Sequence, residues 1–483
     1  MLVGIDLGTS GCKAVAFDLH GSVLAEGRAP LTTALPAAGH AEQSADAWRQ
    51  AFAVAVRHLW DSGVHGDTVV GVGVCGHWPS LALLDSAGYP LRPALLWKDS
   101  RGIDWPDLSL QAMAERVGLP PAYVPSLPAA KLRWLQNHEP ELFRTGKLRW
   151  CLGAKDCLVY WLTGQATTDR VEAWWSGLAG RRGAGWDLEL LRRLALPGAA
   201  LPKILPMTAL AGVVSRTAAS FTGLRAGAPV AVGAPDGVCG AIGAGLAQPG
   251  LGVVVHGASL IVATPAPAGL SFGGNDAIMR FPPLVEPHDL LYTSTPSGSA
   301  DLFLEGLLGG DRLRQLRLEA FCCPPAPDDP LFIPHVEGVT SPWLNLGLRG
   351  AWFNLSLGQD WPALYRSVQE GIVFSARQIV EALANLGAPL ARVRLGGGGS
   401  RSSDLCRLYA DALGRPVARL TSSELGCRGA AALAGIAAGV YPDLPAAMAA
   451  LVHETDVIEP AADRAVMEQR YQRFAAACSW LAT

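Results

Sequence analysis

The chain opens on three short apolar runs separated by tight polar breaks. Leu2–Asp6 is followed by the loop LGTSG, then CKAVAFD, a turn at His20-Gly21, and SVLAEGR. A parallel crossover needs a dozen or more residues, so connections this short predict an antiparallel meander rather than a βαβ unit. The period changes after Ser44, a residue suited to cap a helix. Trp48, Phe52, Ala55 and Leu59 recur at three- and four-residue spacing and share one face of a helix running to Trp60. TVVGVGVCG, from Thr68 to Gly76, is almost continuously apolar, as a buried strand is. LALLDSAGYPLRPALLW (81–97) reads as a hairpin turning at DSAG, and AAKLRWLQNHEPELF (129–143) as a helix ending near Pro140.

The second half repeats some of this grammar. GVVVHGASLIVAT, Gly252 to Thr264, again predicts strand, small-residue loop and strand, about half a chain after VGIDLGTSGCKAVAF. Duplication of a core unit places a domain boundary near Gln248-Pro249-Gly250, giving domains at 1–247 and 248–483. Asp360-Trp361-Pro362 opens a long helix that Gly387 closes. Beyond it come the strand ARVRL, the loop GGGGSRSS, the helix DLCRLYADALG, the strand RPVARL and the small-residue helix GCRGAAALAGIAAGV. Strand, glycine loop, helix and strand make an α/β architecture with a ligand-ready loop at a strand's carboxyl end.

At 483 residues the chain exceeds one hydrophobic core, so two or three domains are expected. Half the residues are hydrophobic and 17% are charged, which gives ample core. A net charge of −3 without basic runs argues against nucleic-acid binding. The ten cysteines form no CxxC pair, and Met1 runs directly into a strand-like segment rather than a secretory leader. Reduced thiols and a cytoplasmic location are therefore expected. No His spacing suits a structural transition metal, and no run approaches a membrane span.

Three motif matches carry no weight. Gly71–Gly76 fits GxGxxG, but Pro79 follows and no helix opens there. Gly269–Gly273 fits a nucleophile elbow without a strand-to-helix context, and Ser10–Lys13 fits SxxK inside an expected hairpin. The Walker A pattern is absent. Three other stretches suit a phosphorylated ligand. Asp6-Leu7-Gly8-Thr9-Ser10-Gly11 sets a carboxylate at a strand end before a loop with two hydroxyls, which suits a Mg²⁺-bearing phosphate or is a bare hairpin turn. His256-Gly257-Ala258-Ser259 is a weaker version, for which a plain turn is the stronger reading. Gly396-Gly397-Gly398-Gly399-Ser400-Arg401, between strand and helix, lets a flat or anionic ligand approach the backbone.

From Ala226 to Asn275 the only charged side chain is Asp236, inside GAPDGVCGAIGAG. A carboxylate there is paired, solvated in a cleft, or kept for chemistry, unless it is merely a turn residue ahead of a helix.

Together VGIDLGTSGCKAVAFD, AEQSADAW, LLWKDSR, AAKLRWLQNHEPELF, GAPDGVCGAIGAG, LGGGGSRSSDLCRLYADALGRPV and SSELGCRGAAALAG resemble, in order, blocks of the FGGY carbohydrate kinase family, and its xylulokinase-like members most. The resemblance runs from about Leu2 to about Tyr471. It implies two ribonuclease-H-like α/β domains of the actin and hexokinase kind, with ATP and sugar in the cleft between them. It implies Asp6 as the metal-proximal carboxylate, and Gly8, Thr9 and Ser10, with Lys13 beside them, at the first phosphate loop. Gly257 and Ser259 match the second phosphate loop, Gly396, Gly397, Gly398 and Ser400 the adenosine side, and Asp236 the base. The cofactors implied are ATP and Mg²⁺, and a homodimer would fit the family.

The sequence departs from the xylulokinase pattern where the sugar is expected. A Gly-Gln-Met-His-Gly block is replaced by Gly76-His77-Trp78-Pro79-Ser80, so His77 and Trp78 are candidate substitutes or plain packing. Gly237 stands where the residue after the base is usually polar, and Gly338–Pro342 lacks two charges of a family block. Trp97 and Asp99 of LLWKDSR are candidate substrate contacts, with a structural Asp99–Arg101 pair as the equal alternative. A pentulose is the leading acceptor; a polyol such as a tetritol, another ketose or an aldonate remains open. A non-catalytic nucleotide- or sugar-binding regulator and an actin- or chaperone-like ATPase are the readings from other classes.

Overall fold

A computed structural model describes residues 1–103, 110–119, 121–144, 146–183, 185–196, 200–267, 269–270, 277–322 and 324–482. The chain divides into two compact units, Met1–Gly245 with Glu424–Val452, and Leu246–Ser423 with His453–Thr483.

The first unit is built on the expected meander. β1 (Leu2–Gly8), β2 (Gly11–Phe17) and β3 (Val23–Pro30) pair antiparallel. On its other side β1 pairs in parallel with β4 (Gly71–Gly76). The sheet continues through β6 (Pro229–Ala231) to β5 (Leu210–Val213), and the two-residue β7 (Ala234–Pro235) pairs with the end of β4. Helix α1 (Ala45–Trp60) starts at Ser44, whose hydroxyl accepts from the Ala47 N–H, and it buries Trp48, Phe52, Ala55 and Leu59. That face forms the core with Ile5, Ala14 and Val72, so the helical period became one side of a packed layer.

The second unit repeats the pairing. β8 (Leu251–His256) pairs antiparallel with β9 (Leu260–Pro265), and β9 with β11 (His288–Thr295), which also pairs with β10 (Met279–Val285). On its other side β8 pairs in parallel with β12 (Arg392–Gly396). Helix α3 (Trp361–Asn385) is capped by Asp360, which accepts from the Ala363 N–H at 2.9 Å, and it buries Phe374 in the core. β12 leads into α4 (Ser403–Leu413), then β13 (Val417–Leu420), with β14 (Glu454–Ile458) on the sheet edge.

Three expectations shift. The strand expected from Thr68 begins at Gly71, after a 3₁₀ turn at Gly66–Thr68. The helix expected over 129–143 breaks into Pro128–His138 and Glu141–Arg144, because Pro140 has no N–H to continue it. The hairpin over 81–97 is held by single bridges, Leu81 to Leu95 and Leu84 to Pro90, with its turn at Asp85–Tyr89. Residues 271–273 of the elbow-like match, and Cys323, lie outside the described residues.

The first crossing between units, after Gly245, falls just before the division expected after residue 247. The chain then crosses twice more, because helix α5 (Leu425–Ala437) belongs to the first unit. Its small residues explain the placement. The carbonyls of Cys427 and Ala430 occupy the space that a Cβ on Gly4 of β1 or Gly73 of β4 would take. Only a Gly- and Ala-rich contact lets helix backbone and sheet approach so closely. Among the described residues no helix is long and apolar enough to cross a membrane.

Candidate active site

In the first unit the functional candidates gather at the carboxyl ends of β1 and β4. Asp6 lies opposite Lys13 on β2 and Cys75 on β4. Gly8 pairs with Gly11, leaving Thr9 and Ser10 as a two-residue turn. Trp97 donates its indole N–H to the Thr9 hydroxyl at 3.0 Å, and the Gln43 amide donates to the Thr9 carbonyl at 2.6 Å. The Lys13 ammonium is 2.9 Å from one oxygen of Glu424, and the Arg28 guanidinium is 2.7 Å from the other.

Burial pushes the Asp6 carboxyl above its ordinary range, while the Lys13 charge and the Cys75 thiol pull it back. Its Oδ1 is buried with no hydrogen-bond partner. An orphaned carboxylate oxygen at a phosphate-type turn fits a Mg²⁺ that keeps several of its waters.

Asp236 begins helix α2 (Asp236–Gly243). β7 pairs with Cys75 and Gly76, which delivers Asp236 to the end of β4. The turn before it needs Gly233, whose φ is +78° and whose Cβ position is filled by the Val74 carbonyl. The Gly237 N–H donates to Asp236 Oδ1 at 2.7 Å. Burial, and after it the charge of Asp6, raises the Asp236 carboxyl to about 7; the Gly237 N–H and Trp78 act in the opposite direction. A carboxyl tuned to neutrality can accept a proton from a substrate hydroxyl.

Trp78 reaches Asp236 and packs edge-on against Trp175 with centroids 4.6 Å apart; Tyr123 lies against the same ring at 5.6 Å. His77 points elsewhere. It is 2% exposed, bonds Ser80 Oγ at 2.7 Å and lies edge-on to Trp48. Burial above all holds its imidazole down to about 3, so it is neutral in the core. Asp99 is fully buried, accepting from the Ala41 N–H at 2.7 Å and from Arg101 at 2.8 to 3.1 Å. Its environment is the structural pair with Arg101.

The sequence reading passed over a buried ionic cluster beside the base. Lys155 pairs with Asp156 and, at 3.0 Å, with Asp169. Glu172 lies among them, its carboxyl pushed well up by burial first and by the neighbouring carboxylates, Asp236 included. The available signal was five charged residues within the otherwise apolar stretches AKDCLVYWL and TTDRVEAWW.

In the second unit Gly257, Ala258 and Ser259 form the turn between β8 and β9. His256 before it is buried, with Nδ1 2.9 Å from the Tyr409 hydroxyl. The parallel pairing of Val255 with Gly396 brings the second glycine loop alongside. A Cβ on Gly397 would lie 2.6 Å from the His256 carbonyl, whereas nothing lies near that position on Gly398. The Ser400 hydroxyl donates back to the Gly397 carbonyl at 2.8 Å, and Ser402 caps α4. The two loops therefore touch, and Gly398 leaves open space beside the backbone.

Both units carry the same strand-turn-strand meander beside a parallel strand, a duplicated α/β architecture with short turns at the strand ends. Residues 1–243 match the N-terminal domain, and residues 310–438 the C-terminal domain, of the FGGY family of carbohydrate kinases. The chain belongs to that family and is a carbohydrate kinase, an enzyme class that uses ATP. It is 26% identical to the xylulose kinase of Lactococcus lactis subsp. lactis, over 98% of this chain and 95% of that protein. It is 29% identical to the apulose kinase of Pectobacterium atrosepticum, over 98% and 97%. The crystal structure of xylulose kinase from Rhodospirillum rubrum superposes with a TM-score of 0.83 at 28% identity, covering 99% of this chain and 98% of that one.

Proposed function

We propose that the protein transfers the γ-phosphoryl group of ATP to a hydroxyl of a pentulose of the xylulose type. Asp236 takes the proton of the attacking hydroxyl, and Trp78 with Trp97 borders the acceptor. The observation that carries this reading is the half-buried Asp236 carboxyl raised to about 7 at the end of β4. Such a base contributes two to four powers of ten, about 3–5 kcal/mol of barrier. The kinases of a xylulose and of apulose among its relatives support a ketose acceptor.

In this reading residues 1–247 serve the sugar and 248–483 the nucleotide. The Asp6–Ser10 turn with Lys13 and the Gly257–Ser259 turn hold the phosphates, and Gly396–Ser400 faces the adenosine. Asp6 would hold Mg²⁺, which when bound neutralises phosphate charge. Backbone amides of the turns orient the phosphates, and Gly237, lacking a side chain, leaves room beside the base. The test is ADP release from MgATP across ketoses, polyols and aldonates, run beside Asp236→Asn. Strong stimulation by a pentulose that collapses in the variant is the expected result; stimulation by a polyol or aldonate alone would replace the substrate.

A further inference from the structure

Trp78 and Trp97 stand on different segments, and one buried side chain reaches the backbone beside each. Lys131 projects from the Pro128–His138 helix and is wholly removed from solvent. Its Nζ donates to the Leu96 carbonyl at 2.5 Å and, at the longer distance of 3.4 Å, to the Pro79 carbonyl. Leu96 directly precedes Trp97, and Pro79 directly follows Trp78. The two segments are already paired further on, where Leu81 and Leu95 exchange backbone hydrogen bonds at 2.8 and 2.9 Å. In an antiparallel pair Pro79 and Leu96 fall on one side of that bridge, so Lys131 closes the end from which both indoles emerge. Its helix is anchored independently, because the Arg101 guanidinium lies over the Trp134 ring, 4.9 Å from the centroid. Burial pulls the Lys131 ammonium down to about 7, with Asp99 raising it and Arg101 lowering it; amine and ammonium alike carry the two hydrogens these contacts need. A buried lysine costs free energy that an apolar residue of the same length would not, so the two carbonyl contacts are the use of this residue type.

We propose that Lys131 is a positioning residue for the acceptor wall: it ties the end that carries Trp78 to the end that carries Trp97, and so sets the spacing of the two indoles. This rests on the reading above in which both tryptophans border the acceptor. Each indole is held at its far side by something else, Trp97 by the Thr9 hydroxyl at 3.0 Å and Trp78 by the Trp175 ring. Lys131 fixes the backbone side of both. Without its head group the Pro79 and Leu96 carbonyls lose their common donor, and the two walls move independently.

The experiment compares the full-length parent with Lys131→Met, which keeps the length and removes the donor; folds commonly tolerate an apolar group of similar shape in place of a buried charge. In hydrogen–deuterium exchange, the amides of residues 80–81 and 96–99 are expected to exchange about five- to tenfold faster, the worth of one hydrogen bond, while those of α1 stay within about twofold. In turnover with xylulose the acceptor KM rises by the same factor of about five to ten, and the MgATP KM at saturating acceptor stays within about twofold. Propylammonium, the missing part of the side chain, lowers the raised KM of Lys131→Ala; tetramethylammonium, which has no N–H, does not. Parent-like exchange and KM in Lys131→Met overturn the proposal. So does faster exchange spread evenly over α1, which marks a general loss of stability, and so does local loosening with an unchanged acceptor KM. A parent that phosphorylates no xylulose sinks the substrate reading alone. The exchange data, and the KM of whichever ketose, polyol or aldonate stimulates ADP release, then decide the role of Lys131.

Discussion

Asp236 stands half-buried within reach of the charge of Asp6, and desolvation first and that charge second raise its carboxyl to about 7. A base must be ionised to act. Turnover at limiting acceptor is therefore expected to fall about tenfold per pH unit below pH 7 and to level off above it. A pH–rate profile of the parent checks this; an acidic limb lying near pH 4 would mean that the raised carboxyl is not the titrating base.

Asp236→Asn separates catalysis from folding. The variant is expected to lose between a hundred- and ten-thousandfold in kcat. Its stability should move the other way. The folded carboxyl, near 7, holds a proton that an unfolded carboxyl, near 3.8, releases, so the parent loses stability as pH rises between those values. Asparagine never ionises. It should therefore be more stable than the parent at pH 8, by on the order of 2–4 kcal/mol, with the gap closing toward pH 4. Urea unfolding at several pH values measures it. A turn residue without chemistry would lose stability in the variant and keep its kcat.

Asp99 is expected to behave as part of the scaffold. Asp99→Ala leaves the Ala41 N–H and most of the Arg101 donors without their acceptor, although Glu42 still contacts Arg101 at 2.7 Å. A loss of roughly 2–4 kcal/mol in unfolding free energy follows, with the acceptor KM unchanged well below the melting temperature. A raised KM at unaltered stability would return Asp99 to the substrate.

Gly233→Ala tests the turn that delivers the base. The added Cβ meets both a φ of +78° and the Val74 carbonyl. The expected cost is about 3 kcal/mol or more, with kcat reduced because Asp236 follows three residues later. Denaturant midpoints and turnover on the same preparation decide it; a variant with the parent's midpoint would show that the turn tolerates a side chain.

The β1–β2–β3 meander and α1 were legible because each is written locally. Connections of two and five residues allow only antiparallel return, and the spacing of Trp48, Phe52 and Leu59 admits only a helix with one buried face. Asp236 was legible for the opposite reason: a lone charge in an apolar, glycine-rich stretch has few structural uses. The Lys155–Glu172 cluster was not legible, since charged residues at helix spacing look alike whether they face solvent or a core.

By itself, then, the sequence determined the residue types at the candidate site, the paired strand-turn-strand units, and their order along a sugar-kinase pattern. Tertiary structure decided everything that depends on distant neighbours. It returned α5 to the first unit, because its small residues fit only against the bare glycines of β1 and β4. It placed His77 against Trp48 and Asp99 on Arg101, and set Asp236 near neutrality rather than near 4. Burial and Coulomb interaction belong to positions in space, and those positions are filled by residues from hundreds of places away in the chain.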